Sequence, residues 1–330
     1  MKSHILTRAL IENFAIRSQV RVDDVVQGTS YTANTENVAA HRDFYARIDW
    51  DGQRSQEVER SLEPIESVVP PLLREISDRW PLPPSLKSDV AEFVAVQTVR
   101  SPGLRAFDRL QSRRSFDEQR LRLLADRRSV DVAVKLEHLR SQQSIVDAPA
   151  FRHQRMLALI EKAASVYASM HWALLEFEQG SLGISDQPVV ALPAGRTLYL
   201  PGSLNFDAGL LHAEEVRFPI SPTSALLMSW ADAPDARGEM DAEIAANLNA
   251  FSRAQTFRHW MYRLDTEPRL AEGHLPLIAE QVYSGFRHGA YQASRRWKVT
   301  NSNIQPRLGH DTTGYIEAVT VTATERPDEA

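Results

Sequence analysis

The sequence predicts an α+β protein: predominantly helical, with a small, mostly antiparallel sheet formed by the middle of the chain. Three observations carry this. Apolar residues recur at steps of three and four through long stretches before residue 170. Short apolar runs cut by Gly and Pro follow between Trp172 and Trp230. A helical period returns near residue 239. The chain reads as a single domain over 1–330, with a helical part at about 55–170 and a strand-rich part at about 172–230. A helical return at about 239–295, a short C-terminal strand and a frayed tail complete it.

Each element has its own reason. In residues 4–14, Ile5, Leu6, Leu10, Ile11 and Phe14 mix their spacings, which suits a short helix or a buried lead-in. Val20-Arg21-Val22 alternates like a short strand, and the Gly, Ser, Thr and Asn of 27–37 read as loop. Leu62, Ile65, Val69, Leu72, Ile76 and Trp80 mark a helix that Pro64, Pro70 and Pro71 should kink or split. Ser85 can cap the next, striped by Leu86, Val90, Phe93, Val94, Gln97, Ser101 and Leu104. Two more helices follow at about 117–140 and 150–170. The apolar runs 173–177, 184–192, 197–200, 216–218 and 225–230 read as strands, then a long helix spans about 239–264. A last strand is expected within 315–324.

Composition excludes several functions. Apolar residues make up 43% and charged residues 25%, the balance of an ordinary globular chain. A net charge of -5 offers no global positive field to nucleic acid. Cysteine is absent, which removes disulfides, thiolate nucleophiles and Cys-based zinc sites, and suits a cytoplasmic location. Arg8 and Glu12 interrupt the apolar start, so no secretory signal is expected. No apolar stretch approaches the length of about 18 residues that a membrane span needs, so no membrane partner is expected. Phosphate-binding glycine loops, zinc-protease, calcium-loop and kinase motifs are missing too. No metal-binding motif specifies a metal site, and nothing specifies a cofactor.

Polar residues on apolar faces are the most informative local feature. Gln97 falls on the buried stripe of its helix, and an unpaired amide there costs about 1–3 kcal/mol. Arg100 stands one turn on, able to clamp an anion or to staple a carboxylate. In the late helix Gln255 lies beneath Phe251 and Asn247 beside Leu248, so a polar pocket between the two helices is one reading and helix-to-sheet hydrogen bonding the other. In "GISDQPVVAL", Asp186 either closes an Asx turn before Pro188 or points at Arg100 or a ligand, as base or metal ligand. Ser221 before Pro222 suits a hydroxyl-capped turn better than a nucleophile. His4 could anchor the N-terminus in a cleft and serve as an acid, and His310-Asp311 is a weaker candidate. Two basic stretches, Arg-rich 100–128 and 287–298 with Tyr291 and Trp297, offer nucleic acid a contact surface.

With these residues in place, the chain resembles a bacterial family catalogued as domain of unknown function 4238. The resemblance rests on "HILTRALIENFA", "RDFYARID" before "VERSLEPIES", "FVAVQTVRSPGLR", "GISDQPVV" and "VRFPISPTSALLMS", in that order over about residues 4–264. It implies that His4, Gln97, Arg100, Asp186, Gln187 and Ser221 are signature positions, with Gln187 standing where the family pattern usually has Asn. No activity transfers with it. The expected function is a hydrolase, nuclease-like, with a polar pocket around Gln97, Arg100 and Asp186. Asp186 would be base or metal ligand, Arg100 the anion clamp, Gln97 and Asn247 orienters, and His4 the acid. The alternative is a non-catalytic ligand-binding or interaction module, for example a sensor in a stress or phage-response locus. A third reading makes every polar pair a structural staple.

Overall fold

A computed structural model describes residues 2–42, 47–48, 54–55, 57–125, 131–147, 149–177, 182–193, 213–230, 235–272, 277–279, 282, 297–303 and 319–323. The chain begins with β1 (Lys2–His4), α1 (Arg8–Glu12), β2 (Gln19–Asp24), β3 (Thr29–Asn34), β4 (Ala40–Arg42), β5 (Arg47–Ile48) and β6 (Arg54–Ser55). The helices α2 (Glu57–Arg74), α3 (Pro84–Val99), α4 (Pro102–Ala125), α5 (Val132–Asp147) and α6 (Pro149–Ser169) follow. Then come β7 (His171–Phe177), β8 (Ile184–Ser185), β9 (Val190–Pro193), β10 (Ala213–Ser221), β11 (Ser224–Ser229) and β12 (Ala236–Met240). Helix α7 (Ala242–Ala254) and strands β13 (His259–Tyr262), β14 (Trp297–Asn303) and β15 (Val319–Ala323) complete the described chain.

The α+β class holds, but the sheet differs from the expectation of one small sheet. There are two main sheets. One has five strands in the order β12-β7-β11-β10-β9, antiparallel except for the parallel β12–β7 pair. The other has four, β3-β2-β13-β8, all antiparallel. The second draws strands from both ends of the family-like region, so it is not built from the middle of the chain alone. The apolar run 184–192, expected as one strand, is divided between the sheets: β8 belongs to the four-stranded sheet and β9 to the five-stranded one.

Other differences have local causes. The expected loop 27–37 contains β3, because Thr29-Ser30-Tyr31-Thr32 pairs with β2 across a turn at 25–28. The helix expected over 239–264 starts later and stops earlier. Asp241 caps it, its carboxylate accepting from the backbone N–H of Glu243 and Ile244 at 3.0 and 2.9 Å. Residues 259–262 leave the helix to become the strand between β2 and β8. The prolines do not split α2, which carries Pro64, Pro70 and Pro71 inside it. Each proline frees the carbonyl four residues earlier, here Arg60, Glu66 and Ser67. Arg60 and Ser67 are exposed and Glu66 is partly so, leaving those carbonyls within reach of water. The expected strand at 197–200 and the His310-Asp311 pair lie outside the described residues.

Helix α3 sits at the centre. Its residues from Phe93 to Val99 are all buried, which is why apolar side chains surround it rather than forming one stripe. It packs on α6, where Thr98 Oγ1 and Tyr167 Oη lie 2.8 Å apart, and on the large sheet through an edge-on Phe93–Phe218 pair at 6.3 Å. Trp172, fully buried, donates its indole N–H to the Tyr167 carbonyl at 2.8 Å. One cluster of buried apolar side chains runs from Leu6 to Val282 and ties both sheets to the helices. Among the described residues no helix is long and apolar enough to cross a membrane.

Candidate functional site

The link from β8 to β9 carries "SDQPV" from one sheet to the other. Ser185 closes its turn: the Ser185 hydroxyl accepts from the Gln187 backbone N–H at 2.8 Å. Asp186 turns away instead and receives the segment leading into β13. Its Oδ1 accepts from Phe257 N–H at 2.9 Å, and its Oδ2 from Arg258 and His259 N–H, each at 2.9 Å. Its own N–H donates to the His259 carbonyl at 2.9 Å. The carboxylate therefore organises the exit from α7. Burial pushes the Asp186 carboxyl up to about 6, against the His259, Phe257 and Arg258 amides, which hold it down.

Gln187 joins two helix ends. Its Oε1 accepts from the Gly103 N–H in the first turn of α4 at 3.0 Å, and its Nε2 donates to the Gln255 carbonyl at the end of α7 at 2.5 Å. The contact needs glycine: a Cβ on residue 103 would lie 2.1 Å from Gln187 Oε1. The side chain of Gln must span both partners, and Asn is shorter by one methylene. The departure from the family pattern thus coincides with a bridge between α4 and α7. Gln255, nominated for its side chain, meets Gln187 through its backbone.

Gln97 and Arg100 face the N-terminus and α2. Gln97 Nε2 donates to Thr7 Oγ1 at 2.6 Å, and Gln97 Oε1 accepts from Thr7 N–H at 3.3 Å. Thr7 Oγ1 donates to Glu66 Oε1 at 2.7 Å, and the Arg100 guanidinium pairs with the same carboxylate oxygen. Arg100 thus staples the Glu66 carboxylate, as one of its two readings had it, while the alternative that joined it to Asp186 is not what the described contacts show. His4 lies in β1, its backbone paired with Ala40, and its side chain is outside the described residues. Gln97→Leu is expected to lower stability by about 1–3 kcal/mol, since Thr7 loses both its hydrogen bonds to Gln97 in a buried place and keeps only the one to Glu66. Chemical denaturation checks this, and a loss below about 0.5 kcal/mol would contradict the assignment.

Asn247 leads to a group that the sequence reading passed over. Its Oδ1 accepts from Arg217 Nη1 at 2.7 Å. Arg217 is 1% exposed and Glu215 0%, and they form an ion pair on one face of β10. Arg217 Nε donates to Glu215 Oε1 at 2.6 Å, and the guanidinium lies 4.4 Å from the centre of the Phe251 ring. Glu215 Oε2 accepts from the N–H groups of Ile278 and Ala279 at 2.9 and 2.7 Å. Burial lowers the pKa of Arg217 while Glu215 raises it, the net being downward. The signal was present: Glu215-x-Arg217 sets opposite charges on one side of a strand that is apolar from Phe218 to Ile220.

An open polar groove of about 690 Å³ lies at another place, between the ends of α1 and α2, the β10–β11 hairpin and β12. Arg74, Ser77, Glu176, Ser221, Arg237 and Glu239 line it. Ser221 closes the hairpin turn, its Oγ accepting from Thr223 N–H at 3.1 Å and lying 2.7 Å from Ser224 Oγ. Burial works to raise the Glu176 carboxyl, but hydrogen bonds from Arg237 Nε at 2.6 Å and Ser77 Oγ at 2.5 Å hold it below its ordinary value. Arg74 donates from Nε to Asn13 Oδ1 at 2.9 Å and has no carboxylate partner among the described residues.

The basic stretches are placed unevenly. Helix α4 exposes Arg113, Arg114, Arg120 and Arg122, with Arg114 paired to Glu118 at 3.0 Å. Residues 287–296 of the second stretch lie outside the described residues. Among the described residues, no group of three or more His, Asp or Glu side chains is placed to hold a metal ion.

Comparison with known proteins gives a family. A family model described as "Protein of unknown function (DUF4238)" matches residues 2–281. No curated protein and no solved structure matches the chain.

Proposed function

The chain belongs to the DUF4238 family, and on this geometry we propose that it is a non-catalytic ligand-binding module whose site is the Arg74–Arg237 groove. The observation that carries the reading is the division of labour among polar side chains. Gln97, Arg100, Asp186, Gln187 and Asn247 are spent on internal partners. The groove borders open space of a size that suits a small ligand; Glu176, Arg237 and Ser77 hold one another in its wall, and Arg74 lines it bonded, among the described residues, to Asn13. Arg74, oriented by Asn13 and without a described carboxylate partner, is the group that would take a ligand's carboxylate or phosphate in a two-point grip.

A panel of phosphorylated and carboxylated metabolites, screened by thermal shift and followed by calorimetry, tests this. A binder is expected to lose about tenfold or more in affinity on Arg74→Ala. Binding unaffected by that change, or no binder in either class, would sink the proposal.

The hydrolase reading keeps one argument in its favour: burial pushes the Asp186 carboxyl up to about 6, towards the range of a general acid–base group. Labelled RNA and DNA with Mg²⁺ or Mn²⁺ decide it. Turnover that is abolished in Asp186→Asn while the melting temperature holds would favour hydrolysis over binding.

A further inference from the structure

Strand β3 ends the four-stranded sheet, and its outer side carries no paired strand among the described residues. Its direction of hydrogen bonding follows from one contact. Thr35 N–H donates to the Ser18 carbonyl at 2.9 Å, in the register that continues the β2–β3 ladder. Antiparallel alternation then turns the backbone groups of Ala33, Tyr31 and Thr29 towards β2 and those of Asn34, Thr32 and Ser30 outward. The Asn34 carbonyl is used by Asn37 N–H at 2.9 Å, so the outward edge for an incoming strand centres on Ser30 and Thr32.

Natural edges are blunted by lysine, proline, bulges or inward charges. Residues 29–34, Thr-Ser-Tyr-Thr-Ala-Asn, contain none of these residue types, and the pairing with β2 runs without a register shift. Thr29, Ser30, Tyr31 and Thr32 are all exposed, Tyr31 to 40%. The turn beside them exposes Val25 and Val26.

We propose that β3 pairs antiparallel with the β3 strand of a second copy of this chain, across a twofold axis at Tyr31. Parity allows an axis at a residue and not between two, and because the Asn34 carbonyl and the Gly28 N–H are already used, the axis at Tyr31 is the one that engages both Ser30 and Thr32 in full. With Tyr31 opposite its copy, Ser30 of one chain faces Thr32 of the other, and both have outward N–H and C=O groups. The pairing forms two hydrogen-bonded pairs around a close, non-hydrogen-bonded tyrosine pair. Charge agrees with it. A twofold places residues near its axis opposite their like, and β3 is uncharged from Thr29 to Asn34, so self-pairing meets no repulsion there. The two sheets of four strands become one continuous sheet of eight.

Sedimentation velocity on the full chain, from about 1 to about 100 µM, tests the proposal. The wild type is expected to move from monomer towards dimer across that range. Tyr31→Lys and Tyr31→Glu should each weaken the dimer by about tenfold or more, because each puts like charges face to face. An equal mixture of the two should dimerise again. Thr32→Pro removes one outward N–H without touching the β2 ladder, and should give a monomer with the wild-type circular dichroism spectrum. This variant decides the question if the Tyr31 variants fail to fold. A wild type monomeric throughout, a dimer indifferent to Thr32→Pro, or a mixture of folded charge variants that does not reassociate overturns the proposal.

Discussion

Arg217→Met is expected to cost about 3–5 kcal/mol of stability, the largest effect of any single change considered in this protein. The substitution keeps much of the side-chain volume but leaves the Glu215 carboxylate at 0% exposure without its cation. It also removes the donor to Asn247 and the charge over the Phe251 ring. Partial relief should come from the second change of a double-mutant cycle. In Glu215→Gln/Arg217→Met, the glutamine oxygen can still accept from the Ile278 and Ala279 amides, while the unpaired charge is gone. The double variant should therefore be more stable than Arg217→Met alone. Urea unfolding of the four proteins measures the cycle. If Arg217→Met costs under about 1 kcal/mol, or the double variant is worse than the single, the buried pair does not hold the 277–279 segment to β10.

That pair also shows where sequence reading stopped. The strand was expected at 216–218, one residue short of Glu215, so the charges at 215 and 217 were never seen as neighbours on one face. The stripe of Leu86, Val90, Phe93 and Val94 did place Gln97 on a buried face and Arg100 at its edge, although α3 is buried all round from Phe93 to Val99. Their partners were not legible. Thr7 lies 90 residues from Gln97, and Glu66 sits on the partly exposed side of a helix. Strand β3 was hidden because an exposed edge strand buries little and has no apolar alternation to betray it. Strand β13 was hidden inside an extended helical pattern. What ends that pattern is a carboxylate more than 70 residues away acting on backbone N–H groups, which leave no mark in the sequence.

The same carboxylate supplies the prediction that separates a staple from a catalytic group. Asp186→Ala leaves the N–H groups of Phe257, Arg258 and His259 without their acceptor, at a cost of about 3 kcal/mol. Asp186→Asn retains one oxygen but turns an NH₂ group towards a backbone donor, and should cost about 1–3 kcal/mol. The pH dependence has a definite sign. The carboxyl titrates near 6 in the folded chain and near 3.8 when free of it. Its protonation therefore contributes stability that is complete below about 3.8 and lost as pH rises through about 6. The wild type should accordingly gain on the Ala variant as pH falls from 7.5 towards 4, and the difference between their melting temperatures cancels the other carboxylates. A difference flat across that range would place the Asp186 titration elsewhere. A variant that melts like the wild type at every pH would free the carboxylate from the role of holding β13, and the chemistry of a base would become its best explanation.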